Sequence, residues 1–175
     1  MTYLRGVGNV AATALQDPAV TFNFDGVYIA RPTSTGGLFY DLERVEVLKG
    51  PQGTLYGRNA TGGAINILPR RPQLREQSGE VSALYGNRDN QHFTGWYNAA
   101  FGDRAALRVA GQRVAHESYM KDGTDDQDDR SARMAFRFDA SDALRVHVGA
   151  DYYEQRGHGA GSTPLALGTA TRDGA

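Results

Sequence analysis

The sequence predicts a two-part, β-rich chain. An α+β N-terminal region of short strands, glycine turns and a short helix comes first, and antiparallel hairpins with one apolar and one polar face follow. Three observations lead there. Residues 41–68 alternate strand signals with breakers, residues 80–155 hold five segments of period two, and no apolar run approaches the ~18 residues of a membrane helix.

In chain order, Gly6-Val7-Gly8-Asn9-Val10-Ala11 fits the G-x-G-x-x-[GA] dinucleotide fingerprint. Asn9 to Gln16 suits a short helix and Val20 to Asp25 a strand ending in an acid, 17 residues after Gly8, near the ~20 expected of a ribose-binding carboxylate. The competing reading makes these glycines a turn, because few residues precede Gly6 and no parallel βαβ pattern follows. Next, Val45, Val47 and Lys49 alternate with Glu46 and Leu48, the period of a half-buried strand. Gly50-Pro51 stops that strand, since proline offers no amide and glycine accepts unusual dihedrals. Gln52 to Tyr56 suits about one helical turn, ended by Gly57. Gly62-Gly63 is a second break, and Ala64 to Leu68 a second short apolar strand. The stretch is no phosphate loop: Arg58, not lysine, follows Gly57, and the G-x-x-x-x-G-K-[ST] spacing is absent.

The second half predicts strands at about Glu80–Tyr85, Gln91–Phe101, Ala105–Ser118, Ser131–Asp139 and Ala143–Gln155. Phe93, Tyr97 and Phe101 share one face of the second strand, and His92, Thr94, Trp96 and Asn98 the other. In the fourth strand Met134, Phe136 and Phe138 oppose Arg133, Ala135 and Arg137. Either a soluble sheet with one buried face or a membrane barrel alternates in this way. Connections are short at Gly102–Arg104 and Ala140–Asp142 and long between Tyr119 and Arg130, the asymmetry of barrel turns and outer loops.

Composition narrows the function. With 19 basic and 20 acidic residues the net charge is −1, which gives no support to a nucleic-acid partner. The absence of cysteine removes disulfides and thiolate metal sites. Asp122, Asp125, Asp126, Asp128 and Asp129 form an acidic stretch without the glycine and closing glutamate of a calcium hand, and are expected in a solvated loop. His92, His116, His147 and His158 are too scattered to suggest ligation, and no nucleophile–histidine–carboxylate arrangement marks an enzyme.

The run Asp41-Leu-Glu-Arg-Val-Glu-Val-Leu-Lys-Gly-Pro-Gln-Gly-Thr-Leu-Tyr-Gly-Arg-Asn-Ala-Thr-Gly-Gly-Ala-Ile-Asn-Ile-Leu68 resembles the plug domain of TonB-dependent outer-membrane receptors. The likeness extends upstream through Tyr3-Leu-Arg-Gly6 and Phe24-Asp-Gly-Val-Tyr-Ile29, and downstream to Pro69-Arg-Arg-Pro72. It implies a plug domain of α+β type, a mixed small sheet with short helices, over residues 1–76. Residues 77–175 then hold the first five or so strands of a transmembrane β-barrel, incomplete because plugged barrels use about 22 strands. It further implies a non-enzymatic receptor of the ferric-siderophore type, lying in outer-membrane lipid and energised by the TonB complex. Iron enters only as part of the transported chelate, with no cofactor, and cobalamin, nickel or oligosaccharide cargo stays open. Neither a secretion signal nor the TonB-contacting box stands ahead of the first plug strand, so a truncated or internal piece is expected. By the same resemblance Arg5, Arg31, Phe39 and Tyr40 lie at outward plug turns where ligand would touch, with packing an equal alternative. Arg44, Glu46 and Arg58 fall to plug–barrel contacts, and Gly50, Pro51, Gly57, Gly62 and Gly63 to the plug's turns.

Overall fold

A computed structural model describes residues 3–8, 18–30, 37–57, 59–119 and 124–157. Within them a small hairpin joins β1 (Tyr3–Leu4) to β2 (Val7–Gly8) through Arg5 (φ 52°) and Gly6 (φ 79°). Two successive positive φ values are the requirement of a type I′ turn, which matches the twist of antiparallel strands. A second such turn, Asp25 (φ 49°) and Gly26 (φ 82°), joins β3 (Val20–Phe24) to β4 (Val27–Ile29). The dinucleotide reading fails on these two turns. Gly6 links antiparallel strands instead of opening a helix, and Asp25 is paired with Arg71 at 2.5 Å. The helix expected over Asn9–Gln16 lies outside the described residues.

β5 (Leu42–Lys49), the single-turn helix α1 (Gly53–Tyr56) and β6 (Gly63–Pro69) complete the N-terminal sheet, whose strand order is β4–β3–β6–β5. β6 runs parallel to β3 and antiparallel to β5, so the sheet is mixed, as the sequence leads one to expect. Its core is Val20, Phe22, Ala64 and Ile67, with Ile67 fully buried.

The second sheet is an antiparallel meander of β7 (Ser78–Tyr85), β8 (Gln91–Phe101), β9 (Ala105–His116), β10 (Gln127–Ser141) and β11 (Leu144–Arg156), paired in chain order. The second strand has the bounds read from its alternation, whereas β10 starts four residues before the expected Ser131. Asp128 and Asp129 therefore belong to a strand, a correction to the solvated acidic loop. Arg113 across the ladder bonds Asp128, and Tyr153 and Gln127 bond Asp129. The meander is open, with β7 and β11 at its edges. No described helix is long and apolar enough to cross a membrane.

The three inner strands β8, β9 and β10 alternate in burial, whereas the edge strands β7 and β11 are exposed along most of both faces. Phe93, Tyr97, Val109, Met134, Phe136, Phe138, Val146 and Val148 are exposed on the outer face. Asn98, Ala106, Arg108, Ala110, Ser131 and Arg133 are buried on the inner face, against the N-terminal sheet. Large apolar groups in the open and charges inside invert a soluble sheet and fit a wall with lipid outside.

Candidate functional site

The two sheets meet where Tyr40 and Asp41 lead into β5. On β9, Arg108 stands between the small side chains of Ala106 and Ala110, which leave room for a long cation to reach inward. Its Nε and Nη2 donate to the two carboxylate oxygens of Asp41 at 2.8 and 2.5 Å. This fork-to-fork pairing is the strong geometry for guanidinium and carboxylate. Both side chains are almost sealed, at 4% and 3% exposure. Trp96 lies across the register from Ala110 and lays its ring 4.0 Å from the Arg108 guanidinium, a cation–π contact sheltered from water. Asp41 itself holds a left-handed backbone (φ 48°), which aspartate accepts better than most residues.

Arg133 on β10 grips the preceding residue. Its Nη1 donates to the Tyr40 carbonyl at 3.0 Å and its Nε to Asp151 at 2.6 Å. The same guanidinium sits 4.6 Å from the Tyr40 ring and 4.7 Å from the Phe24 ring. Burial pushes the Tyr40 hydroxyl up to about 12, partly offset by the Arg133 charge, and among the described residues that hydroxyl has no hydrogen-bond partner. The Asp41 carbonyl accepts the Arg70 N–H (3.1 Å), tying β5's entry to the end of β6. Two wall arginines thus hold two consecutive residues of the N-terminal sheet.

The linker is lashed down as well. Fully buried Asn98 accepts the Gln73 N–H at 2.9 Å and donates to the carbonyls of Gln73 and Glu76 at 2.9 and 2.8 Å. All three bonds go to backbone, so the segment between β6 and β7 has one path along β8.

Inside the N-terminal sheet, a polar rung crosses all four strands. Tyr28, Asn23, Asn66 and Glu46 are cross-strand partners in β4, β3, β6 and β5. Asn23 donates to Asn66 at 3.2 Å, and Asn66 donates to Tyr56 of α1 at 2.6 Å and to Glu46 at 3.4 Å. Asn59 caps the far end on Tyr28 at 2.9 Å.

This rung changes the reading of Arg44 and Glu46. Among the described residues neither forms a hydrogen bond or an ion pair with the wall. Arg44 pairs with Glu46 at 2.7 Å and with Glu43, while Glu46 reaches Asn66. The Arg44 hydrogen bond, then that of Asn66, holds the Glu46 carboxyl below its ordinary value. Neighbours two apart on one strand face reach each other more readily than they reach another sheet. Against the described wall strands, hydrogen bonds and ion pairs are made by Tyr40 and Asp41. Tyr40, read as an outward residue, is 6% exposed and committed to Arg133, whereas Phe39 is half exposed and Arg5 exposed at its hairpin tip. Arg31 and Arg58 lie outside the described residues. The glycines sit at turns. Gly50 (φ 94°) and Gly57 (φ 73°) are left-handed in open space. Gly63 (φ 146°) is pressed so closely on the Leu48 carbonyl that a Cβ would overlap it, and buried Gly62 lies against Val7 and Val20. Pro51 follows Gly50 in the exposed turn after β5.

Sequence reasoning placed Arg133 on the polar face of its strand and singled out neither it nor Arg108. Their signal was a long cation flanked at i±2 by small side chains, Ala106 and Ala110 about Arg108 and Ser131 and Ala135 about Arg133, on a polar face. No group of three or more metal-ligating side chains occurs among the described residues. The arrangement offers anchoring and ion pairing.

The N-terminal sheet seated on the inner face of an outward-apolar meander is the arrangement of a plug domain against adjoining strands of a barrel wall. The family model for the TonB-dependent receptor plug domain matches residues 2–64, and over that segment the chain is similar to that family. It is 48% identical over 87 residues to the pesticin receptor of Yersinia enterocolitica, which covers 50% of this chain and 12% of that protein. An iron-regulated outer membrane virulence protein of Vibrio cholerae is 32% identical over 117 residues, covering 62% of this chain and 18% of its own length. The crystal structure of the ferric yersiniabactin uptake receptor FyuA from Yersinia pestis superposes with a TM-score of 0.68 at 29% identity, over 77% of this chain and 22% of that one. The chain thus spans about an eighth to a fifth of the length of these curated relatives.

Proposed function

We propose that this chain is the plug and adjoining wall of an outer-membrane receptor that imports a scarce ligand, a ferric siderophore, by TonB-energised movement of the plug. The observation that supports this reading most directly is the sealed Arg108–Asp41 pair, which seats the N-terminal sheet on the inner face of the wall. A sheet held there by ion pairs and hydrogen bonds blocks the lumen. It can also leave without losing a continuous apolar interface, because water entering behind it solvates each freed charge. The TonB complex supplies the pull, and the charged Arg5 and half-exposed Phe39 are the residues left free to meet an anionic chelate and its ring. The receptor makes and breaks no bond in its cargo.

Deletion of the gene for this chain in its iron-starved host tests the reading. Uptake of a labelled ferric siderophore is expected to fall, and disruption of TonB to reproduce the loss. Uptake that survives deletion for every siderophore class tried refutes the assignment.

A further inference from the structure

The outer face of the meander is apolar only up to a definite rung. Toward the end remote from the short turns, Phe93, Arg113, Arg130 and Glu154 are successive cross-strand partners on β8 to β11. The next rung carries Asp128 opposite Ala115 and Arg156. Below them the same face shows Tyr97, Met134, Phe136 and Val148. Arg113 and Arg130 are therefore like charges directly opposite one another, an arrangement that destabilises a sheet unless an anion lies between them.

One carboxylate serves both. Asp128 accepts from Arg113 Nε at 3.1 Å and from Arg130 Nη2 at 3.2 Å. Each guanidinium has five donors. Among the described residues no further hydrogen bond of either is formed, and the two side chains are 44% and 45% exposed. The two rungs hold three arginines against Asp128 and Glu154, an excess of one positive charge. A pair of under-used guanidinium forks stands at the upper limit of an apolar face. There the neighbouring solvent changes from acyl chain to headgroup.

We propose that Arg113 and Arg130 form an anion seat on the lipid-facing side of the wall that takes the phosphate of a membrane-lipid headgroup. The inference rests on reading β7 to β11 as membrane wall. Phosphate oxygens match the guanidinium fork, and the acyl chains of the same lipid lie down the apolar strip beneath. Asp128 holds the two cations together when no lipid is present and competes with the phosphate when one arrives. Glu154 and Arg156 pair with each other at 2.8 Å and bound the seat on the β11 side.

The test titrates the full chain, in a non-ionic detergent, with phosphatidylglycerol or with diacylglycerol of the same acyl chains, and counts retained lipid by native mass spectrometry. Each arginine near an anionic headgroup is worth about fivefold in binding, so the Arg113→Gln/Arg130→Gln double variant is expected to hold phosphatidylglycerol about thirtyfold more weakly. Diacylglycerol retention should not change. Asp128→Asn removes the competing carboxylate and should tighten phosphatidylglycerol, a gain that a damaged fold cannot mimic. Equal retention by the wild type and the double variant overturns the seat, as does weaker retention by Asp128→Asn. Displacement of phosphatidylglycerol by an equal concentration of inorganic phosphate overturns the lipid assignment. A chain that takes up neither lipid fails as a membrane wall, and the seat falls with it.

Discussion

Replacing Asp41 tests the seating of the plug at its narrowest point. Asp41→Ala leaves Arg108 charged, 4% exposed and deprived of both its carboxylate bonds. Removing one partner of a buried pair costs about 3–5 kcal/mol, mostly because the other charge stays unpaired. The Trp96 ring, 4.0 Å away, holds the guanidinium in both forms and so does not offset the loss. A loss of about 3–5 kcal/mol in plug docking is expected. Asp41→Asn keeps the size, one acceptor and tolerance of φ 48°, so it should lose about half as much. The Asp41→Asn/Arg108→Met pair, which removes both charges and keeps a residue that accepts φ 48°, should recover most of the loss. Trp96 is the chain's sole tryptophan and lies against the pair, so its fluorescence during urea titration reads the site directly. Additive effects of Asp41→Ala and Arg108→Met, with no coupling energy, would show that the two residues do not hold each other and would refute this account.

The remaining expectations concern the plug. Gly63→Ala places a methyl on the Leu48 carbonyl and should unpair β5 from β6, whereas Gly50→Ala, left-handed but in open space, should cost only about 1–2 kcal/mol; limited proteolysis of the two variants should separate them. Tyr40 is raised to about 12 from 10.0, so the plug keeps its full Tyr40 contribution below pH 10 and loses it progressively as pH rises toward 12. Tyr40→Phe deletes a hydroxyl with no partner among the described residues, should be neutral or stabilising near pH 7, and should remove the last component of the tyrosinate absorbance titration. Glu46 is held below its ordinary 4.5, so its contribution is present above that pH and fades as acid carries the solution through the lowered value. Glu46→Gln should flatten that acid limb of a stability profile, and an unchanged limb would assign it to other carboxylates.

Much of the fold was legible because period and punctuation agree. Gly50, Gly57 and Gly63 stand where the chain requires positive φ, and β8 ends where Gly102 turns. The start of β10 was hidden because Asp128 and Asp129 read as loop, and only the partners across the ladder, Arg113 and Tyr153, make strand of them. The polar rung was out of reach for a similar reason. Asn23 and Asn66 are 43 residues apart and meet only through the parallel pairing of β3 with β6, which leaves no local trace. For the site, the resemblance drew attention to Arg44 and Glu46, the charged residues of the motif itself. The contact falls on Asp41 at the motif's edge, since its left-handed backbone turns the carboxylate out of the sheet toward Arg108.

The parallel pairing of β3 with β6 also has a mechanical meaning. Val20 to Phe24 lie in register with Gly63 to Ile67, running the same way. Beyond β6 the chain is tethered to the wall through the linker on Asn98. Tension applied ahead of Val20 and resisted beyond Pro69 loads opposite ends of two parallel strands, so their hydrogen bonds bear it side by side, in shear. The antiparallel edges of the same sheet can peel one bond at a time. A tug from the N-terminal side therefore meets the sheet along its stiffest direction, and the plug is built to be drawn out as a body, or stripped from its edges, before its centre parts.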